Sequence, residues 1–153
     1  MTDASNTPRR WFITGANSGF GLALAHAALA VGDEVVAAVR RPETMAALAA
    51  ESGGRLSVIE LDVSKREQLP TAVEAAGRID VLVNNAGFGI VGAIEETSEA
   101  ELRTTMEVMF FGPLAHLTHL AGGLTRRATV TRRPALFLRP LASKGADTTP
   151  AQS

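Results

Sequence analysis

Two short stretches hold the residue types and spacings that do chemistry. Thr14-Gly15-Ala16-Asn17-Ser18-Gly19-Phe20-Gly21 follows an apolar run and opens a helical pattern, and Asn84-Asn85-Ala86-Gly87 follows another apolar run downstream. Glycine at position 15 permits a tight turn out of a strand, Gly19 lets the backbone approach a pyrophosphate, and Gly21 lets the helix pack close to the sheet. The N–H groups at the helix start then face the anion. With Asn17, Ser18 and Phe20 between them, these glycines read as a diphosphate cradle, and with the second motif as a dinucleotide site. Arg40 closes the next apolar run, about twenty residues further on, where a carboxylate would accept from both ribose hydroxyls of NAD. A guanidinium there pairs a 2′-phosphate instead, which favours NADP over NAD.

Those residues must be positioned by a regular scaffold, and the pattern supplies one. Trp11-Phe12-Ile13 reads as a short buried strand, Gly21 to Val31 as the following helix, and Glu34 to Val39 as a β-branched strand buried on both faces. A helix near Glu43 to Glu51, a Gly53-Gly54 turn and a strand over Leu56 to Leu61 follow, closing on Asp62. Ser64-Lys65-Arg66-Glu67 has the form of a capping box for a helix running to about Ala76. Ile79 to Val83 makes a fourth strand, Asn84 to Gly92 a glycine-rich loop, and Ser98 to Glu101 a second capping box opening a helix toward Ala121. Strands alternating with helices predict a doubly wound parallel sheet with ligands at the carboxyl ends of its strands.

Past residue 121 the pattern changes. Residues 1 to 121 carry 9 Lys+Arg against 15 Asp+Glu, net −6, whereas residues 122 to 153 carry 6 against 1, net +5. The expected division is a dinucleotide-binding domain over 1–121 and a basic, divergent, partly disordered tail over 122–153, with Ala135 to Leu138 as its one strand candidate. The tail's arginines lack interleaved aromatic residues, so no nucleic-acid partner is expected. With no cysteine among 153 residues, disulfides, thiolate metal sites and cysteine nucleophiles are excluded. No apolar run is long enough to cross a bilayer, and the chain is read as cytoplasmic. Oligomeric state is open, a homo-oligomer included.

Thr14-Gly15-x-x-x-Gly19-x-Gly21, Asp62-Val63, Asn84-Asn85-Ala86-Gly87 and Phe110-Phe111-Gly112 resemble the short-chain dehydrogenase/reductase family over roughly residues 9 to 121. The resemblance implies a Rossmann-type fold that binds NAD or NADP for hydride transfer to a small carbonyl or from an alcohol. It also implies that Asp62 and Val63 contact adenine, and that Asn84, Ala86 and Gly87 line the floor beside the adenine ribose and the nicotinamide. The family's catalytic set is a Tyr-x-x-x-Lys pair with a serine and a helix asparagine, in which the tyrosine exchanges a proton with the substrate oxygen.

None of that set is intact. The chain has no tyrosine, Met109 stands where the asparagine is expected, Arg139 stands where the serine is expected, and Pro140-Leu141-Ala142-Ser143-Lys144 has proline in the tyrosine's place. No catalytic residue is therefore assigned. His116 and His119 lack a third metal ligand and read as surface or packing residues, so no metal site is assigned either. Glu95, Glu96, Glu99 and Glu101 fit a helix start, and Phe110 and Phe111 a core position. The expected sheet is incomplete after the fourth βα unit. The expected function is an NADP-preferring oxidoreductase by lineage, truncated and catalytically impaired, the alternatives being a non-catalytic dinucleotide-binding module or a non-functional fragment.

Overall fold

A computed structural model of the chain describes residues 7–90, 93–120 and 124–132. One sheet contains β1 (Arg10–Thr14), β2 (Glu34–Val39), β3 (Leu56–Glu60), β4 (Ile79–Asn84) and β5 (Leu124–Arg132), ordered β3-β2-β1-β4-β5, with every pairing parallel. Between them run α1 (Gly19–Ala30), α2 (Ala46–Glu51), α3 (Leu69–Ala76), α4 (Glu99–Met106) and α5 (Gly112–Leu120). The fold is the α/β Rossmann type expected from the alternation.

Period-two alternation along the strands sorts side chains into two cores. Ile13, Val35, Ala37, Val39, Val81 and Val83 pack with Ala25, Ala28 and Leu29 of α1 and with Met45, just ahead of α2. On the other face Phe12, Val36, Ala38 and Leu82 pack with Leu69, Ala72 and Ala76 of α3, and Ala115 and Leu117 of α5 add to them. Helices on both faces explain why β2 reads Val-Val-Ala-Ala-Val without a polar break. Each large side chain fully removed from water here, such as Phe12 or Leu82, contributes roughly 1.5–3 kcal/mol.

The amino end of the sheet is pinned by one buried carboxylate. Asp33, just ahead of β2, accepts from the backbone N and Nε of Arg9 at 2.9 and 3.0 Å and from Trp11 Nε1 at 2.8 Å. Burial opposes its charge, yet the hydrogen bonds from Arg9 and Trp11 and the Arg9 charge prevail and hold the pKa below the usual carboxylate range.

Helix starts divide between expectation and correction. Ser98 Oγ accepts from the Glu101 backbone N at 3.3 Å while Glu101 Oε2 accepts from the Ser98 N at 2.9 Å, so the capping box ahead of α4 forms. The one expected at Ser64 does not. Asp62 Oδ1 takes both the N and the Oγ of Ser64, at 3.0 and 2.7 Å, and the chain passes through a 3₁₀ turn at Arg66–Gln68 before α3 begins at Leu69. A carboxylate two residues upstream outcompetes the capping geometry.

The helix toward Ala121 runs without a break from Glu99 to Leu120 but is irregular. A π-helical turn, Glu107–Phe111, separates α4 from α5. β5 pairs with β4 inside the segment read from sequence as tail, its β-branched Thr125, Thr129, Val130 and Thr131 suiting an extended backbone. Ala135–Leu138 and the Pro140–Lys144 stretch lie outside the described residues. No helix among the described residues is long and apolar enough to cross a membrane.

Candidate functional site

The site is assembled where β1 gives way to α1. Gly15 turns out of the strand at φ 65°, a value that L side chains rarely adopt, and its N donates to Ala38 O on β2 at 2.8 Å. Ser18 is extended (φ −157°, ψ 162°) and its hydroxyl does not cap α1, whose first turn also lacks acidic residues. The positive end of the helix dipole at this start is therefore not offset by an acidic side chain in the first turn. A methyl group at position 21 would overlap the Gly15 carbonyl and the Asn85 amide, which makes glycine obligatory there.

The second motif is clipped to the first by two residues that the sequence reading did not place in the site. Thr14 Oγ1, buried, accepts from the backbone N of Asn85 at 3.0 Å and of Ala86 at 2.9 Å. Asn85 Nδ2 returns the bond to the carbonyls of Thr14 at 3.0 Å and Gly15 at 3.2 Å. Thr14 belongs to the first motif by sequence, and its place immediately before Gly15 was the available signal.

Asn84 faces elsewhere. β4 runs one residue further than its apolar run, so alternation puts Asn84 on the same face as Leu82, where its Oδ1 lies 2.6 Å from His116 Nδ1 of α5. An amide oxygen only accepts, so the ring nitrogen there carries the proton. Burial, and then the nearby His119, push the His116 pKa down to about 4, and the ring is neutral near pH 7.

A cleft of about 180 Å³ opens across the carboxyl ends of the strands. Of the residues singled out by motif, Gly15, Ser18, Phe20, Arg40, Asp62, Val63, Ala86 and Gly87 line it, joined by Asn85, Phe88 and Val108. Asn17 and Gly19 sit in the glycine loop outside the lining, Gly21 lies beneath it, and Asn84 stands behind it against His116. Arg40 is exposed at the end of β2. Burial works against ionisation of Asp62, but the Ser64 hydrogen bonds and the charges of Arg40 and Lys65 outweigh it and hold its pKa below the usual range.

The helical wall differs from expectation. Phe110 and Phe111, read as core, are 45% and 36% exposed and lie within the π turn itself, their rings edge to face at 5.2 Å. Arg66 sits over the Phe111 ring at 4.9 Å and pairs with Glu107 at 3.1 Å. His119 is exposed, with Nδ1 2.9 Å from Ala115 O, apart from the buried His116. Among the described residues no group of three His, Asp or Glu could hold a metal ion.

Comparison with known proteins agrees with this geometry. The short chain dehydrogenase family model matches residues 9–129. A short-chain dehydrogenase from Streptomyces avermitilis superposes with a TM-score of 0.73 at 43% identity, covering 77% of this chain and 45% of that one. A 3-ketoacyl-(acyl-carrier-protein) reductase from Brucella melitensis complexed with NADH gives 0.71 at 32%, covering 75% and 49%. An alcohol dehydrogenase from Thermococcus sibiricus complexed with 5-hydroxy-NADP gives 0.73 at 31%, covering 81% and 57%. The chain spans 39 to 41% of the length of the curated relatives it first matches. With the family model matching residues 9–129 and these structures sharing the fold, the chain belongs to the short-chain dehydrogenase family, a family of oxidoreductases.

Proposed function

We propose that the chain binds NADP(H) in the cleft, as the nucleotide half of an oxidoreductase that moves hydride between the cofactor and a small carbonyl or alcohol. The carrying observation is Arg40, exposed on the cleft at the end of β2 beside Asp62, one of whose oxygens is already taken by Ser64. In this reading Gly15, Asn17, Ser18, Gly19, Phe20 and Gly21 hold the diphosphate, Arg40 the 2′-phosphate, and Asp62 and Val63 the adenine. Ala86 and Gly87 hold the rest, with Asn84 acting from behind through its bond to His116. NAD, without the 2′-phosphate, gains nothing from Arg40.

A second reading, a binding module without turnover, is favoured by the absence of tyrosine from these 153 residues and by Met109. Both readings share the cofactor, and a cytoplasmic setting goes with either.

Calorimetric titration with NADPH and NADH tests the cofactor. Charge-assisted hydrogen bonds contribute about 1.5–3 kcal/mol, and an exposed guanidinium falls at the low end through solvent screening. NADPH should therefore bind about tenfold tighter, and Arg40→Asp should reverse the order. Equal affinity of the unmodified chain for both would overturn the assignment.

A further inference from the structure

The π turn between α4 and α5 touches both walls of the cleft. Val108 is buried and forms part of the lining. Next to it, Met109 packs on Gly87 so closely that a methyl group at position 87 would lie 2.6 Å from the Met109 sulfur. At the end of the turn, Gly112 abuts the Val63 carbonyl, where an added methyl would lie 2.8 Å from the oxygen. Glu107 and Phe111 both engage Arg66, on the chain leaving the Asp62-Val63 wall. One irregular turn thus bears on the β4 loop and on the β3 loop together. π turns recur at functional sites because the inserted residue redirects side chains without ending the helix.

We propose that this turn is the strut that sets the opening of the cleft, with Met109 and Gly87 as a matched knob and hole fixing its β4 side. Met109 is a positioning residue for the cofactor, acting through the Gly87 backbone. The proposal rests on the dinucleotide reading above. The strand order gives it a direction: Arg40 follows β2 and Gly87 follows β4, two strands and roughly 10 Å apart. Gly87 therefore meets the half of the cofactor remote from the 2′-phosphate. A misplaced Gly87 should harm the nicotinamide end and spare the adenosine end.

Two ligands separate the ends: NADPH, and adenosine 2′,5′-bisphosphate, which has no nicotinamide. The added methyl meets only the flexible end of Met109, so the overpacking falls at the low end of its range and Gly87→Ala should weaken NADPH about fivefold. The bisphosphate should keep its affinity to within about twofold, the scatter expected of an uncoupled site. Met109→Ala, which adds no bulk and threatens the fold less, should also weaken NADPH selectively. In the double variant the alanine methyl enters the vacated space, and NADPH affinity should recover relative to Gly87→Ala.

Unchanged NADPH affinity in Met109→Ala, parallel loss of both ligands, or a double variant no better than Gly87→Ala would each overturn the strut. An unmodified chain that binds neither ligand would fail earlier, overturning the dinucleotide reading and the strut with it.

Discussion

On the β2–β3 side of the cleft, Arg40, Asp62 and Lys65 bring formal charges within reach of one another, and the acidic group titrates below its ordinary range because the Ser64 hydrogen bonds, and after them the two cations, outweigh its burial. On the β4 side the lining is Asn85, Ala86, Gly87, Phe88 and Val108, with Met109 packed behind, and none of them is ionisable. One side is equipped to recognise a ligand by charge, at a distance and with sensitivity to salt. The other carries no formal charge and acts at short range, through shape and neutral polar groups. Residue type alone reveals the first kind of wall. The second depends on backbone placement, and in this chain the placement is governed by a helical irregularity.

The largest test of that difference concerns the proton. A wall without an ionisable group or a phenol has nothing to protonate a developing alkoxide, and positioned proton transfer contributes typically about 10² to 10⁴ in rate. These 153 residues, purified and supplied with NADPH and a panel of carbonyls, should show no appreciable loss of nicotinamide absorbance. Turnover at ordinary dehydrogenase rates would mean that the uncharged wall holds a proton donor after all.

A second test sharpens the comparison from behind the β4 side, where His116 is buried and neutral. His116 has its pKa near 4 in the fold against about 6.5 when unfolded, so the unfolded chain takes up the proton first as pH falls. Its contribution is whole above pH ~6.5 and drains away as the pH drops to ~4, a loss of roughly 3 kcal/mol across that window. Asp33 and Asp62 lie lower still and add their losses in stronger acid. Urea unfolding at a series of pH values should show the decline, and His116→Gln should flatten it between pH ~6.5 and ~4. A wild-type midpoint constant through that range would contradict the buried neutral ring.

The smallest expected effect lies at the seam between the two sides. Gly19 opens α1 at φ 52°, and a β-branched residue held there costs about 1–3 kcal/mol. A free valine variant relaxes out of that conformation and must return to it to bind, so Gly19→Val should weaken NADPH and NADH alike, about tenfold to a hundredfold, with far-UV circular dichroism unchanged. Undiminished affinity would show that the loop is only a turn.

The sequence disclosed elements whose signal is local. The glycine loop, β2 as a continuous apolar strand, the Ser98–Glu101 cap and Arg40 at a strand end each follow from a few adjacent residues. What escaped required knowledge of competing partners or of one extra residue. Ser64 was taken by Asp62, β4 ran on to Asn84 so that its amide meets His116 while Asn85 lines the cleft, and Phe110 and Phe111, inside the π turn, are exposed. Thr14 was read only as the opening of the glycine motif, yet its hydroxyl unites two motifs about seventy positions apart. β5 was hidden because its composition lacks the apolar alternation that marks a strand in contact with a core.

Trp11 donates to the carboxylate of Asp33 at the amino end of β1, and it is the chain's single tryptophan in a sequence without tyrosine. All indole or phenol absorbance and emission therefore arise from one ring at a known address. Reduced nicotinamide absorbs where indole emits, so a cofactor bound at the other end of the same short strand would quench that light by energy transfer. Protonation of Asp33 would alter the same emission by changing the charge at the indole N–H. A single fluorophore, placed there by the packing of the N-terminal strand, thus reads both ligand and acid without any label.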